Sequence, residues 1–528
     1  MLRFQYQWCE AKKLQTPVLK LASILRLLVQ SRVLCHCKTH TEPTMKTIAY
    51  LKKSIALALG SLACAACLVH AASVQPGNSQ HTGTQSALAT PSSATAPPLD
   101  ALPQTRLDAG LRCLLGVYAF PAGRSVTITG VGGLPRGLQY TLSNGQFGSL
   151  QEGAGGSFTA GAFAIKFESC SVGAMTMTQG EITERGTRLR LVEKATSFIS
   201  DGLALHGKLV LPASGHATSL AVWIEGSNND PSTDDSVWQY ELAHRGVAVF
   251  VYDKRGTGAS AGAPSSDFHA RARDTAAAVE TARRLVPGAQ RVGVIGGSQG
   301  GWVAPLTATK VGLDFVIAAF AMAEGPIAQD QALVEQQLRE AGFDGAALAE
   351  SRQLTAITER IVRSNMREGL AELDAFKAKH SSAPWRGAIQ PRSYTGIFLK
   401  FSAQDIRTNG PAMAQGLSFG YDPRPVIETI KPRQLWLLGG SDRQAPSAGT
   451  QAVLKQVQLR RADIAVVVFP KADHGLIEPV RTDDGVASSY SAGLFDITAD
   501  WIKDQKLPGS GPFIQMPASQ VASKPGMR

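Results

Sequence analysis

Between residues 201 and 504, unbroken apolar runs alternate with segments of helical spacing, and this constrains the fold more than any other feature of the chain. Leu220–Gly226 and Val247–Tyr252 are apolar runs ended by Gly or Asp. A strand with one wet face alternates apolar and polar residues, so runs like these fit central strands covered on both faces. Leu203–Leu211 reads as a hairpin-like lead-in, and residues 266–286 carry Val279, Ala282 and Val286 on one helical face. Arg291–Gly297 is the next buried strand, residues 299–309 the next helix, and Leu313–Phe320 another strand. Strands return at Gln434–Leu438 and Ile464–Phe469, and a closing helix carries Leu494, Ile497 and Trp501. Such alternation predicts an α/β fold, a mostly parallel sheet with helices on both faces.

Residues 327–421 interrupt that rhythm. Leu354/Ile357/Ile361 and Met366/Leu370/Leu373 have helical spacing. One crossover between parallel strands needs only about a dozen residues, so this stretch is an insertion. Insertions at the carboxyl ends of such strands lie over the site, which makes 327–421 a helical cap. Its large apolar residues, Trp385 and Phe398 in particular, are expected to line a substrate pocket. Upstream, residues 105–200 carry short alternating pairs, Val126/Ile128, Met175/Met177 and Leu189/Leu191, between glycine-rich turns. These predict a small β domain. Residues 505–528 form a tail.

The first hundred residues are of another kind. From Met45, Lys46, Lys52 and Lys53 precede an apolar stretch, Ser54 to Val69, and then small residues to Ala71. That order predicts a signal peptide over 45–71, with 1–44 an upstream extension and an exported, periplasmic or secreted product. An uncleaved anchor is the alternative, but the apolar run is short for a membrane span. Residues 72–104 are Ser-, Thr-, Ala-, Gln- and Pro-rich and read as a disordered linker. The net charge of +11 invites a nucleic-acid reading. Residues 1–71 hold +8 of it, however, which leaves the rest near +3 and argues against nucleic acid as a partner. Five of seven cysteines also lie before residue 72, leaving Cys113 and Cys170. An even pair in an exported domain suggests one disulfide, with two buried thiols the alternative.

Two pentapeptides match Gly-x-Ser-x-Gly, Gly258–Gly262 around Ser260 and Gly296–Gly300 around Ser298. A serine exposed above a sheet needs a buried strand, a tight turn and a helix, with glycines where backbone crowds the turn. Residues 291–309 supply that order. The 258–262 match runs into Pro264 and reads as a flexible connection. A serine hydroxyl needs a base, and the base needs an acid to fix its tautomer. Only His380 and His474 follow Ser298. His380 lies in the helical insertion, whereas His474 follows the strand Ile464–Phe469 in the short loop KADHG, so His474 is the candidate base. The acid is expected after the preceding strand, which selects Asp442. Asp473 is the rival, but immediate neighbours rarely aim side chains at each other. An oxyanion would be held by the Gln299 N–H and, from the loop Glu225-Gly-Ser-Asn, by the Ser227 N–H.

YDKRGTGAS (252–260), IGGSQGGWVAP (295–305), LLGGSDRQAP (437–446) and KADHG (471–475) resemble secreted bacterial α/β-hydrolases of the carboxylesterase and serine aminopeptidase type with an N-terminal β domain. The likeness covers residues 200–504 and, more loosely, 105–200. It implies ester hydrolysis through an acyl-enzyme on Ser298, Asp442 and His474, with no metal and no cofactor, and a small-molecule ester or short peptide-like substrate. One departure stands out. Where the family has His-Gly-Ser-Gly, this chain has Glu225-Gly-Ser-Asn, and a carboxylate near a developing oxyanion is unfavourable unless it turns away. Two other functions fit the same residues less well. An aminopeptidase or amidase would need cap carboxylates for a substrate ammonium, and Glu335, Glu340, Asp344 and Glu350 are available. A non-catalytic envelope-binding protein on the same fold would have no need of the Ser298, Asp442 and His474 set.

Overall fold

The computed structural model describes residues 107–516 apart from positions 133, 162 and 483–484. The expected upstream extension, signal peptide and most of the linker, and the tail beyond residue 516, lie outside the described residues.

Short strands separated by glycine turns build the upstream domain. They are β1 (Gly116–Ala119), β2 (Ser125–Gly130), β3 (Leu138–Leu142), β4 (Gln146–Glu152), β5 (Ser157–Ala160), β6 (Phe163–Phe167), β7 (Ala174–Gln179) and β8 (Ile182–Arg188). Each pairs antiparallel with the next, and β8 returns to β1. The sheet therefore closes into an up-and-down barrel. Val117, Ile128, Leu138, Ile165 and Met175 fill its core. A disulfide between Cys113 and Cys170, with Cα atoms 5.6 Å apart, ties the turn before β1 to the β6–β7 connection.

The second sheet contains β9 (Val192–Ser200), β10 (Leu203–Leu211), β11 (Ser219–Ile224), β12 (Ala248–Tyr252), β13 (Arg291–Gly297), β14 (Phe315–Ala319), β15 (Arg433–Gly439) and β16 (Ile464–Phe469). Its order across these strands is β16-β15-β14-β13-β11-β12-β10-β9. The six central strands are parallel, and β9 and β10 are antiparallel at one edge. Successive residues face opposite sides. Val222, Val294 and Val316 pack under the helices Phe268–Leu285 and Gly300–Ala308. Trp223, Ile295 and Ile317 pack on the other face, against Trp238 and the helix Leu494–Asp504.

Two features depart from the expected boundary at residue 200. β9 belongs to the second sheet, paired along its length with β10 across Asp201-Gly202, where both residues have positive φ. The alternating pattern that predicts a strand does not say which sheet receives it. Beyond β16, the hairpin β17 (Ile477–Thr482) and β18 (Gly485–Tyr490) pairs with β4, and Tyr490 stacks on Phe147 at 4.7 Å. The barrel is therefore joined to the second domain through the segment that follows His474.

Residues 327–421 are helical, with helices Pro326–Glu340, Gly345–Arg363, Leu370–Lys379, Tyr394–Phe398 and Ala403–Met413. They enclose a core of their own that includes Leu338, Leu354, Ile361 and Leu373.

Candidate active site

Strand β13, buried from Val292 onward, runs into a turn that places Ser298 at φ +53°, a strained value for a residue with a Cβ. The Ser298 N–H donates to the Ala319 carbonyl at 3.0 Å, which fixes the turn against β14. Glycine is required on both sides of it. A Cβ at Gly296 would lie 2.1 Å from the Gly300 carbonyl oxygen, and one at Gly300 would lie 2.3 Å from that of Ile224. The helix Gly300–Ala308 starts directly after, so the hydroxyl stands at the carboxyl end of the sheet, where the strand order reverses.

Strands β15 and β16 deliver the other two groups. Asp442 lies just past the end of β15 and is 3 % exposed. Its Oδ1 accepts from the Gln444 N–H at 2.8 Å and the Ala445 N–H at 2.7 Å. Its Oδ2 is 2.9 Å from His474 Nδ1, and His474 Nε2 is 2.9 Å from Ser298 Oγ. The loop holding His474 turns through Gly475 and Leu476, both at positive φ, and the Phe320 ring packs edge-on to the imidazole at 5.2 Å. Asp473 takes no part in this chain. It pairs with the Arg443 guanidinium and accepts from the backbone N–H groups of Arg443 and His474 at 2.9 and 2.8 Å. Burial raises its carboxyl, but these bonds outweigh burial and hold it below the usual carboxylate range.

Ser227 and Gln299 face the same cavity as Ser298. Among the described residues, no group accepts a hydrogen bond from either backbone N–H. The Glu225 carboxylate is turned away. It accepts from the Trp223 indole at 2.9 Å, from Ser232 Oγ at 3.3 Å and from the Gly226 N–H at 3.2 Å. Behind this loop lie two buried basic residues that the sequence reading did not single out, Lys254 and Arg271. A Lys-Arg pair at a strand end and an arginine at helical spacing from Phe268, Thr275 and Ala278 were the available signals.

The cavity over Ser298 measures about 450 Å³. Trp302, Phe320 and Met322 give it an apolar wall, and the cap adds Gln329 and Arg392. Trp385 and Phe398 do not line it, which corrects the expected pocket. Both are buried in the cap's own core, because helical spacing predicts burial and not the partner. Two of the four cap carboxylates are engaged elsewhere: Glu335 pairs with Arg339 and Arg352, and Glu350 with Lys379 and His380. Ser260 is also away from the cavity and is buried; its Oγ donates to the Asp253 carbonyl at 2.6 Å and accepts from the His206 N–H at 2.9 Å. The segment read as a flexible connection is thus a pinned loop.

The model of the alpha/beta hydrolase family matches residues 205–488 of the sequence. Comparison with curated proteins gives no match. Among solved structures, the chain is similar to the Pyrococcus furiosus esterase Pf2001, with 14% identity, a TM-score of 0.35, and coverage of 54% of this chain and 84% of that one. It is also similar to the Pyrococcus horikoshii acylaminoacyl peptidase, with 13% identity, a TM-score of 0.38, and coverage of 68% and 52%. A third is Porphyromonas gingivalis dipeptidyl peptidase 4, with 15% identity, a TM-score of 0.36, and coverage of 74% and 49%.

Proposed function

Because the chain belongs to the alpha/beta hydrolase family, we propose that it is a serine hydrolase cleaving carboxylic esters through an acyl-enzyme. Ser298 is the nucleophile, His474 the base and Asp442 the acid that orients it. The observation that carries this reading is the unbroken run from Asp442 Oδ2 through the imidazole to Ser298 Oγ, 2.9 Å at each step.

As Ser298 Oγ attacks the ester carbonyl, His474 Nε2 takes its proton, and the buried Asp442 carboxylate stabilises the imidazolium through Nδ1–H. The carbonyl oxygen gathers charge and is met by the Ser227 and Gln299 N–H groups. His474 then returns the proton to the leaving alcohol. Water, activated by the same imidazole, hydrolyses the acyl group from Ser298.

The cavity's charges favour an ester over an α-amino substrate. Among the described residues that line it, the carboxylate is Asp473, already paired with Arg443, and Arg392 adds positive charge, so this lining offers a substrate ammonium no free anion. A nitrophenyl ester assayed beside an aminoacyl anilide tests this. Faster turnover of the anilide would favour the aminopeptidase reading, and failure of Ser298 to react with a fluorophosphonate probe would favour a binding protein. We also read the chain as exported and cleaved near Ala71. The Cys113–Cys170 bond supports this, since disulfides persist in oxidising compartments. N-terminal sequencing of secreted material is expected to begin close to Ala72.

A further inference from the structure

The backbone loop that carries the Ser227 N–H is held from behind by buried cations. Lys254, 8 % exposed, lies just beyond the end of β12. Its Nζ donates to the Gly226 carbonyl at 2.8 Å, to the Asn228 carbonyl, and to Asn228 Oδ1 at 3.4 Å. An ammonium has three donors. These three acceptors all belong to the oxyanion loop. Arg271, 2 % exposed, comes from the helix Phe268–Leu285. One of its guanidinium nitrogens donates to the Glu225 carbonyl and another to Gln299 Oε1. It therefore bridges the loop after β11 and the residue after the nucleophile.

In a trans peptide the C=O and the following N–H point in opposite directions. The described residues contain no cis peptide bond. Drawing the Gly226 oxygen onto Lys254 therefore aims the Ser227 N–H the opposite way within the peptide plane. Ser227 borders the cavity there, and the loop backbone packs so closely that a Cβ at Gly226 would sit 3.4 Å from Ser298 Cβ. On this loop the bonded partners of Lys254 and Arg271 are carbonyl oxygens.

We propose that Lys254 and Arg271 are positioning residues that set the oxyanion hole: Lys254 orients the Ser227 N–H by holding the Gly226 and Asn228 carbonyls, and Arg271 locks that loop to Gln299. The inference rests on the reading of Ser227 and Gln299 as oxyanion donors. It separates two roles that look alike in a static structure. A loop anchor alone would alter stability and substrate binding, whereas a hole-setting residue alters the transition state and leaves the ground state alone.

The test measures kcat and KM for p-nitrophenyl butyrate, and affinity for phenylboronic acid, whose tetrahedral adduct on Ser298 places an oxygen in the hole. For Lys254→Met, kcat is expected to fall on the order of 10²-fold or more with KM within about twofold. Affinity for the boronic acid should fall with kcat. Lys254→Arg keeps the charge but splits the donors, so part of kcat should return. Arg271→Met should act in the same direction and more weakly. Wild-type kcat in Lys254→Met, or a fall in kcat with boronic acid affinity unchanged, overturns the inference. If Lys254→Met does not fold, Lys254→Arg decides by the same two readouts. Ser298→Ala is measured alongside. If that variant keeps its turnover, the hydrolase reading fails on its own. If it is inactive while Lys254→Met is as fast as wild type, only the present inference fails.

Discussion

The chain contains the pattern Gly-x-Ser-x-Gly twice and uses it in opposite ways. At 296–300 the pentapeptide ends a buried strand and opens a helix, and Ser298 is held at φ +53° with its hydroxyl facing a cavity and a histidine. At 258–262 the same pattern lies in the loop after β12. There Ser260 is buried with both of its hydrogen bonds made to backbone, and Gly258 is required because a Cβ would lie 2.2 Å from an Asp253 carboxylate oxygen. One serine is strained and open; the other is relaxed and closed. The setting of each serine therefore follows from what flanks the pentapeptide, and the pentapeptide alone carries little.

The largest effect should come from Ser298→Ala, which removes only the attacking oxygen. kcat for a nitrophenyl ester is expected to fall on the order of 10⁴-fold or more, because the three groups act as a unit. Melting temperature should change little. Wild-type turnover in this variant would erase the distinction between the two serines.

Next comes a second pair of lookalikes, Asp442 and Asp473. Asp442→Asn presents an amide to His474 Nδ1 and favours the wrong tautomer, so kcat should drop by about 10³–10⁴-fold. Asp473→Asn loses the Arg443 pair and weakens one bond to the His474 backbone, and should cost no more than about tenfold. Steady-state kinetics on the two variants checks the ranking, and the reverse order would reassign the acid.

These pairs also mark how far the sequence could be read. The elbow was legible because strand, turn and helix fall within 19 consecutive residues, 291–309. The placement of His474 and Asp442 at strand ends was legible because each follows a strand that is apolar at almost every position. Closure of the barrel was not, since β8 meets β1 and β18 meets β4 through pairings distant in sequence, and alternation reports a face and not a partner. Trp385 and Phe398 failed for the related reason that a helical stripe reports burial without saying against what. Lys254 and Arg271 escaped notice because basic side chains are ordinarily exposed.

The cap comparison yields the third prediction. Phe398 is fully buried in the cap core, so Phe398→Ala should destabilise by about 3–5 kcal/mol. Ester chain-length preference should stay as it is, while Gln329→Ala, on the cavity wall, should shift it. Thermal denaturation and a chain-length series separate the two. A changed preference in Phe398→Ala with unchanged stability would return that residue to the pocket.

The smallest effect expected is that of Ser260→Ala, and it sharpens the opening comparison most. The lost hydroxyl serves a backbone acceptor at Asp253 and a backbone donor at His206, and both are buried. Leaving such groups without a partner costs about 1–3 kcal/mol. The strands affected are β10 and β12, on the side of the sheet away from β15 and β16, which lead to Asp442 and His474. Chemical denaturation should therefore show a lower midpoint with the same slope, while kcat and KM for the nitrophenyl ester stay within about twofold, the usual result when two sites share no partner. Ser260 does neighbour Lys254 through the turn that the Thr257 and Ser260 N–H groups close. A fall in kcat beyond that range, with KM held, would mean that the loop transmits its strain to Lys254 and the Gly226 carbonyl. The closed serine would then support the open one through the oxyanion loop.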